Sequence, residues 1–195
     1  MAFYSYLSTK IIIAFITKSY QNLFGVRSYI NAKKFILTDK FVINSFGIKL
    51  FQIKCTKSFK YAQKGDFGGY VEKEGNLDQE SDAWVYGDAW VYGNAKVSGD
   101  ARVYGNARVY GNAQVSGDAQ VSNNNEHCGF DCFGSVNRHT HAYKTQSGKV
   151  EITCGCFRGS IEEFDRQVKK THQGNKFERQ YMAIAEVIKI KFGLK

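Results

Sequence analysis

The sequence predicts a mainly β protein, with a short parallel β-helix of hexapeptide repeats in the middle and an α+β module at the C-terminus. Three observations carry this. Seven consecutive hexapeptides, DAWVYG, DAWVYG, NAKVSG, DARVYG, NARVYG, NAQVSG and DAQVSN, run from Asp82 to Asn123. Within them valine recurs every six residues, from Val85 to Val121, with Gly-Asn or Gly-Asp at most joints. That is the pattern of a coil in which each hexad forms one flat side and one corner. Beyond the repeat, two apolar stripes at helical spacing, each with start and stop signals, close the chain.

A second period fixes the number of sides. The residue before each glycine runs Tyr86, Tyr92, Ser98, then Tyr104, Tyr110, Ser116, so the outer surface repeats every 18 residues and three hexads make one turn. Residues 18 apart then stack at strand spacing, about 4.8 Å. Trp84 lies over Arg102 and Gln120 on one side, Trp90 over Arg108 on the next, and the third carries only Lys96, Gln114, Ser98 and Ser116. Strand alternation sends valine inward and both its neighbours outward. Such triangular prisms resemble the left-handed parallel β-helix family, whose members are commonly homotrimers, so the resemblance implies self-association.

The aromatic sides admit two readings. Stacked rings stiffen an exposed face, adding about 0.5–1.5 kcal/mol per pair. Alternatively the two sides meet a partner, since Trp, Tyr and Arg are enriched at interface hot spots. On the second reading the interface residues are Trp84, Tyr86, Arg102 and Tyr104 on one side and Trp90, Tyr92, Arg108 and Tyr110 on the other. The Gly and Asn or Asp of each corner suit left-handed backbone and are structural.

Around the repeat the chain divides into residues 1–33, an N-terminal extension; 34–64, a β-hairpin cap; 65–126, the repeat; and 127–195, a ββαα module. KFILTDKFVI and IKLFQIKC flank a turn at Asn44 to Gly47, and an open β-helix end needs such a cap. Gly65, Gly68, Gly69 and Gly75 then break the rhythm before the strict hexads. After the polar turn Asn124–Glu126, RHTHAYKT and KVEITCGCF are strand-like. Ser160 with Glu163 forms a capping-box pair, and Phe177, Tyr181, Ile184 and Ile188 mark the second helix.

Charge follows this division. The chain of 195 residues carries +9 overall. Residues 1–64 hold +10, residues 65–126 hold −6 and residues 127–195 hold +5, so the basic character belongs to the ends. Proline is absent, which excludes proline-rich ligand motifs and linkers. The N-terminal run Ile11–Ile16 is six residues long, where a membrane span needs about 20, so no span is expected. A packed strand or an amphipathic helix fits that segment better than a cleaved signal.

The strings GDFGGYVEKEGNLDQESDAWVYGDAWVYG and FGSVNRHTHAYKTQSGKVEITCGCFRGSIEEFDRQVKKTH resemble a family of phage and prophage accessory proteins, across about Lys34 to Leu194. Those proteins join a hexapeptide-repeat middle to a C-terminal GCF-containing module and are often described as polymer-forming. The resemblance implies a non-enzymatic binding and oligomerisation protein in the host cytoplasm. It also admits an inhibitor of host antiviral defence, one that binds a CRISPR-type effector or sequesters a nucleotide signal. It assigns no functional residue.

Chemistry-bearing residues are few. Cys128-x3-Cys132 and Cys154-x-Cys156 are the candidate ligands of a structural zinc, with His127, His139 and His141 near in sequence. On a flat strand Cys154 and Cys156 stand about 6.6 Å apart, too far for one zinc unless the chain bends at Gly155. Buried unpaired cysteines are the competing reading. A hexapeptide-repeat acyltransferase would place a histidine base beside the prism. Here all four histidines follow the repeat, and no other catalytic motif is present, so catalysis is not expected. Finally, Lys54, Lys57 and Lys60, interleaved with Phe51, Phe59 and Tyr61, are candidate nucleic-acid contacts. Lysines that guard a strand edge explain the same pattern.

Overall fold

A computed structural model describes residues 33–194. The expectations placed on residues 1–32, an extension and its strand, helix or signal, lie outside the described residues. Fourteen strands, two α-helices and one short 3-10 helix (Glu74–Asn76) are described. β1 (Phe35–Ile43) and β2 (Lys49–Cys55) form the expected antiparallel hairpin. Asn44 closes its turn, its side chain accepting from the amides of Phe46 and Ile48 at 2.9 Å.

β3 (Phe67–Val71) pairs antiparallel with β2 and parallel with β5 (Trp90–Val91), so the hairpin and the repeat share one sheet, in the order β1-β2-β3-β5-β8. The boundary expected at 64/65 is therefore bridged by backbone hydrogen bonds. Gly68 and Gly69 do not interrupt the structure; they let β3 lie directly on the repeat. A Cβ at Gly68 would stand 2.6 Å from the Val85 carbonyl oxygen, and one at Gly69 would stand 2.7 Å from that of Ala89.

The hexads form short parallel strands joined 18 residues apart. β4 (Trp84–Val85), β7 (Arg102–Val103) and β10 (Gln120–Val121) make one stack, β5 and β8 (Arg108–Val109) a second, β6 (Lys96–Val97) and β9 (Gln114–Val115) a third. The predicted register holds. Every valine of the series and every alanine two residues before it is buried. At the corners the glycines take positive φ, as at Gly99 (φ 68°), where a Cβ would come within 2.7 Å of the Gly117 amide nitrogen.

The coil also extends upstream of the visible repeat. Val71 stacks on Val91 and Leu77 on Val97, each 20 residues ahead. Val71 and Leu77 are themselves one hexad apart, and eight residues then separate Leu77 from Val85. The two additional residues lie in the Asp78–Asp82 segment and anchor the hairpin. Gln79 accepts from the amides of Lys34 and Phe35 and donates to the Phe35 carbonyl, while the Lys34 ammonium donates to the carbonyls of Ser81 and Ala83.

The C-terminal module has four strands, not two. β11 (His127–Phe133), β12 (Arg138–Lys144), β13 (Val150–Cys154) and β14 (Phe157–Gly159) form an antiparallel sheet in that order. α1 (Ile161–His172) and α2 (Lys176–Phe192) follow. Ser160 and Glu163 form the capping box, and Gly193 ends α2 in the left-handed region. Phe164, Val168, Tyr181, Ile184 and Ile188 pack against the sheet residues Ala142, Ile152 and Cys154. Tyr143 instead joins the valine core of the repeat. The module thereby covers the last turn of the coil, with Gln146 donating its amide to the Asp118 carbonyl at 2.9 Å. Among the described residues no helix is long and apolar enough to cross a membrane.

Candidate functional site

The two aromatic sides have different fates. Trp84 is 1 % exposed, its indole met edge-on by Phe35 at 6.2 Å and by Phe59 at 5.4 Å. The Tyr86 hydroxyl donates to the Tyr61 carbonyl at 3.3 Å, and the Arg102 guanidinium lies 5.3 Å from the Tyr61 ring centre. The loop after β2 therefore closes over this side. This corrects the expectation for Trp84, which the chain itself encloses; Tyr86 beside it is partly buried. Arg102 donates to Gln120 at 3.1 Å, and Tyr104 is held by the Gln120 amide.

Among the described residues the second side has no such cover. Tyr92 and Tyr110 stack with ring centres 5.2 Å apart and 15° between planes, and Tyr110 is 55 % exposed. The Arg108 guanidinium carbon stands 3.8 Å from the Trp90 ring centre. Its Nη1 donates to the carbonyls of Asp88, Asn106 and Ala107 at 2.8, 2.9 and 3.2 Å, which clamps the cation over the indole.

This side leads into a cleft of about 330 Å³ between the last turn of the coil and the C-terminal sheet. Arg108, Tyr110 and Gly111 line one wall; His127, Gly129, Asp131, His139 and His141 line the other. The corner asparagines run into it: Asn94 donates to Asn112 at 3.2 Å, and Asn112 donates to Asp131 at 3.0 Å. Asp131 Oδ1 in turn stands 2.7 Å from His139 Nδ1. His141, 1 % exposed, has Nδ1 3.1 Å from the Gln114 carbonyl and Nε2 3.1 Å from His127 Nδ1.

A carbonyl oxygen only accepts, so His141 must carry its proton on Nδ1. Burial pushes its pKa down to about 3 and that of His127 down to about 4, so both rings are neutral near pH 7. The Lys191 charge adds to the shift of His127, and the backbone of Arg108 opposes it. The bare Nε2 of His141 then accepts from His127 Nδ1–H, which leaves His127 Nε2 as a lone pair. His127 Nε2 and His139 Nε2 are both buried and meet no side-chain or backbone partner at hydrogen-bond distance among the described residues.

The four cysteines do not converge. Cys154 is buried and accepts from the Thr140 hydroxyl at 3.3 Å. Cys128 packs partly buried against the helical core, its thiol pushed up to about 11 by burial. Cys132 and Cys156 are exposed. Gly155 does bend, with φ 61°, but the bend carries Cys156 outward. Among the described residues no three His, Cys, Asp or Glu are placed to hold a metal, and Cys128, Cys132, Cys154 and Cys156, the expected zinc ligands, are not brought together.

The lysine cluster is also spoken for in part. Lys60 pairs with Asp100 on the acidic repeat, and that pairing raises its pKa. Lys54 lies 5.1 Å from the Phe67 ring centre. The Lys57 carbonyl accepts from the buried Cys55 thiol at 3.2 Å.

Sequence reasoning named His127 only as a neighbour of the cysteines and did not join it to Asp131, because residues 127–137 were assigned no strand. The available signal was alternation in HCGFDCF, which puts His127, Gly129 and Asp131 on one face. Two overlapping stretches of the repeat, residues 95–111 and 101–117, match the family model described as the YdcK β-solenoid repeat. The two matches are offset by one hexapeptide and support a β-solenoid repeat protein. Comparison with curated proteins finds no match.

Proposed function

We propose that this chain is a non-enzymatic, phage-derived binding and oligomerisation protein, built on a left-handed coil and acting through its open aromatic side. One observation carries this reading: of two near-identical aromatic sides, the first has its tryptophan enclosed by Phe35 and Phe59, while among the described residues the second keeps Trp90, Arg108 and Tyr92 partly exposed and Tyr110 more than half exposed. Aromatic rings clamped in fixed geometry lose little entropy on contact, which suits an interface hot spot.

The partner we favour is a second copy. With one aromatic side covered, a closed homotrimer packs the open aromatic side of each copy against the small polar side of the next, a heterologous contact that closes into a ring. That third side carries a groove of about 420 Å³ lined by Leu77, Asp78, Lys96, Val97 and Ser98, an apolar floor with a cation at its edge for a tyrosine ring. A host defence protein is the alternative occupant, the one that the phage resemblance implies.

Light scattering on the purified chain tests the proposal. A trimer at tens of micromolar that falls to monomer with Tyr92→Asp and Tyr110→Asp supports it, and Lys96→Glu should weaken it from the other side. A monomeric wild type, or a trimer indifferent to the tyrosine changes, overturns self-association.

A further inference from the structure

We infer that a second cavity, between the β13–β14 turn and the two helices, is a binding site for a small aromatic anion: one ring that carries a carboxylate or phosphate group. The inference goes beyond the association proposed above and does not rest on it.

The cavity measures about 230 Å³ and opens where that turn faces the C-terminal half of α1. Its lining contains a chain of four rings in contact. Phe157 meets Phe164 with ring centres 5.4 Å apart, Phe164 meets Tyr181 edge-on at 5.9 Å, and Tyr181 stacks on His172 at 5.4 Å with 27° between planes. Phe164 and Tyr181 are almost fully buried and form the base, whereas Phe157 and His172 are partly exposed and form the walls that a guest reaches first. The Tyr181 ring is held in place, because its hydroxyl fits beneath Gly134, where a Cβ would come within 2.0 Å of the oxygen. Rings fixed in this way offer faces and edges to a flat guest with little entropy left to lose.

The charge at the mouth sets the ligand's class. None of the residues that line the cavity is acidic, while the exposed Arg138 stands at its rim. The bend at Gly155 makes room for that guanidinium: φ is 61°, and a Cβ there would come within 2.5 Å of Arg138 Nη1. Among the described residues no carboxylate lies within ion-pair distance of Arg138. The adjoining surface, which shares Phe157 and Gln167 with the cavity, adds Arg166 and Lys170. Its one acid, Glu163, already accepts from the Ser160 amide at 2.8 Å, and Arg158 beside it is paired with Glu151. A planar guanidinium without a counter-ion takes a carboxylate or phosphate bidentately, and the ring that carries this group then enters the aromatic pocket. A neutral ring would leave the cation unpaired, and an anion without a ring would leave the apolar base wet. The volume limits the guest to about one ring with a short arm, since pockets for larger molecules start at about 300 Å³.

The test is a calorimetric titration of the full chain, reduced and at about pH 8, above the ordinary histidine range. The probes are phenylacetate and phenyl phosphate, the neutral phenylacetamide, and the ringless anions acetate and inorganic phosphate. Light scattering runs in parallel, so that a failure of association and a failure of ligand binding are read separately. At least one of the two aromatic anions should bind saturably at millimolar concentration, about tenfold more tightly than the amide, as a hydrogen bond to a charged group implies. Acetate and inorganic phosphate should not bind. Arg138→Gln should lower the affinity for the aromatic anion to that of the amide and leave the amide's own affinity unchanged. Thr171→Trp, at an exposed position of α1 beside the mouth, should abolish binding of both while the urea midpoint stays as in wild type. No saturable binding of either aromatic anion, equal affinity for the amide, or an Arg138→Gln variant that binds as wild type does would overturn the proposal.

Discussion

The chain contains the hexapeptide DAWVYG twice in succession, and the two copies end in opposite environments. Trp84 of the first is enclosed by Phe35 and Phe59, while Trp90 of the second carries a guanidinium on its outer face and stays partly exposed. The same local sequence gives the same strand, the same inward valine and the same left-handed glycine corner, but it does not decide what lies outside. That is decided by residues elsewhere in the chain. The loop after β2 reaches one side of the coil, and the two-residue insertion in Asp78–Asp82 ties β1 beside it through Gln79 and Ser81.

The largest test of this contrast is to truncate each tryptophan in turn. Trp84→Ala removes a fully buried indole and should cost about 3–5 kcal/mol in urea unfolding, whereas Trp90→Ala should cost about 1 kcal/mol. Equal losses would break the comparison.

Acid should act next, and between pH 6.5 and 5 it acts at the end of the coil where the Trp90 side meets the histidine cleft. His127 and His141 have folded pKa values of about 4 and about 3, below the ordinary value of 6.5. Below 6.5 the unfolded chain binds protons that the folded chain refuses, so stability falls with falling pH, by about 1.4 kcal/mol per pH unit for each histidine. The sum is on the order of 3 kcal/mol by pH 5. Asp131, held low first by the Asn112 amide, adds its loss only as pH drops below the carboxylate range. A His127→Asn, His141→Asn double variant should flatten the slope between pH 6.5 and 5 in pH-dependent urea unfolding.

Removing the cover should be milder. Phe59→Ala should cost about 2 kcal/mol and shift the tryptophan emission to the red as water reaches Trp84, while the Trp90 environment stays as it is. Smallest in stability is Tyr110→Asp, within about 0.5 kcal/mol of wild type, because the ring is more than half exposed. Its effect should appear in light scattering instead, as lost association.

What was legible in the sequence was whatever is periodic. The 18-residue register, the buried valines, the left-handed corners and the capping box of α1 follow from spacing and residue type, and the structure repeats them. The upstream turn was hidden because Val71 and Leu77 keep hexad spacing only with each other before two added residues break the count. The cover on Trp84 was hidden because Phe59 and Tyr61 belong to a loop without period. The cleft was hidden for a third reason. His127 and Asp131 meet His141 and His139 only through the antiparallel register that pairs Gly129 with His141 and Phe130 with Thr140, and pairing of that kind leaves no trace in local composition.

The pairing of residues 18 apart also sets a unit of length for this molecule. The C-terminal sheet is fitted to one side of the final turn, with Tyr143 in the coil's core and its hydroxyl reaching Ser116, and with Gln114 and Asp118 engaged by His141 and Gln146. Three added hexads would raise that sheet by one rung, about 4.8 Å, and return it to the same side. One added hexad would turn it to the neighbouring side and part all of these contacts at once. The molecule can therefore be lengthened only in steps of whole turns, like a screw that meets its seat once per revolution.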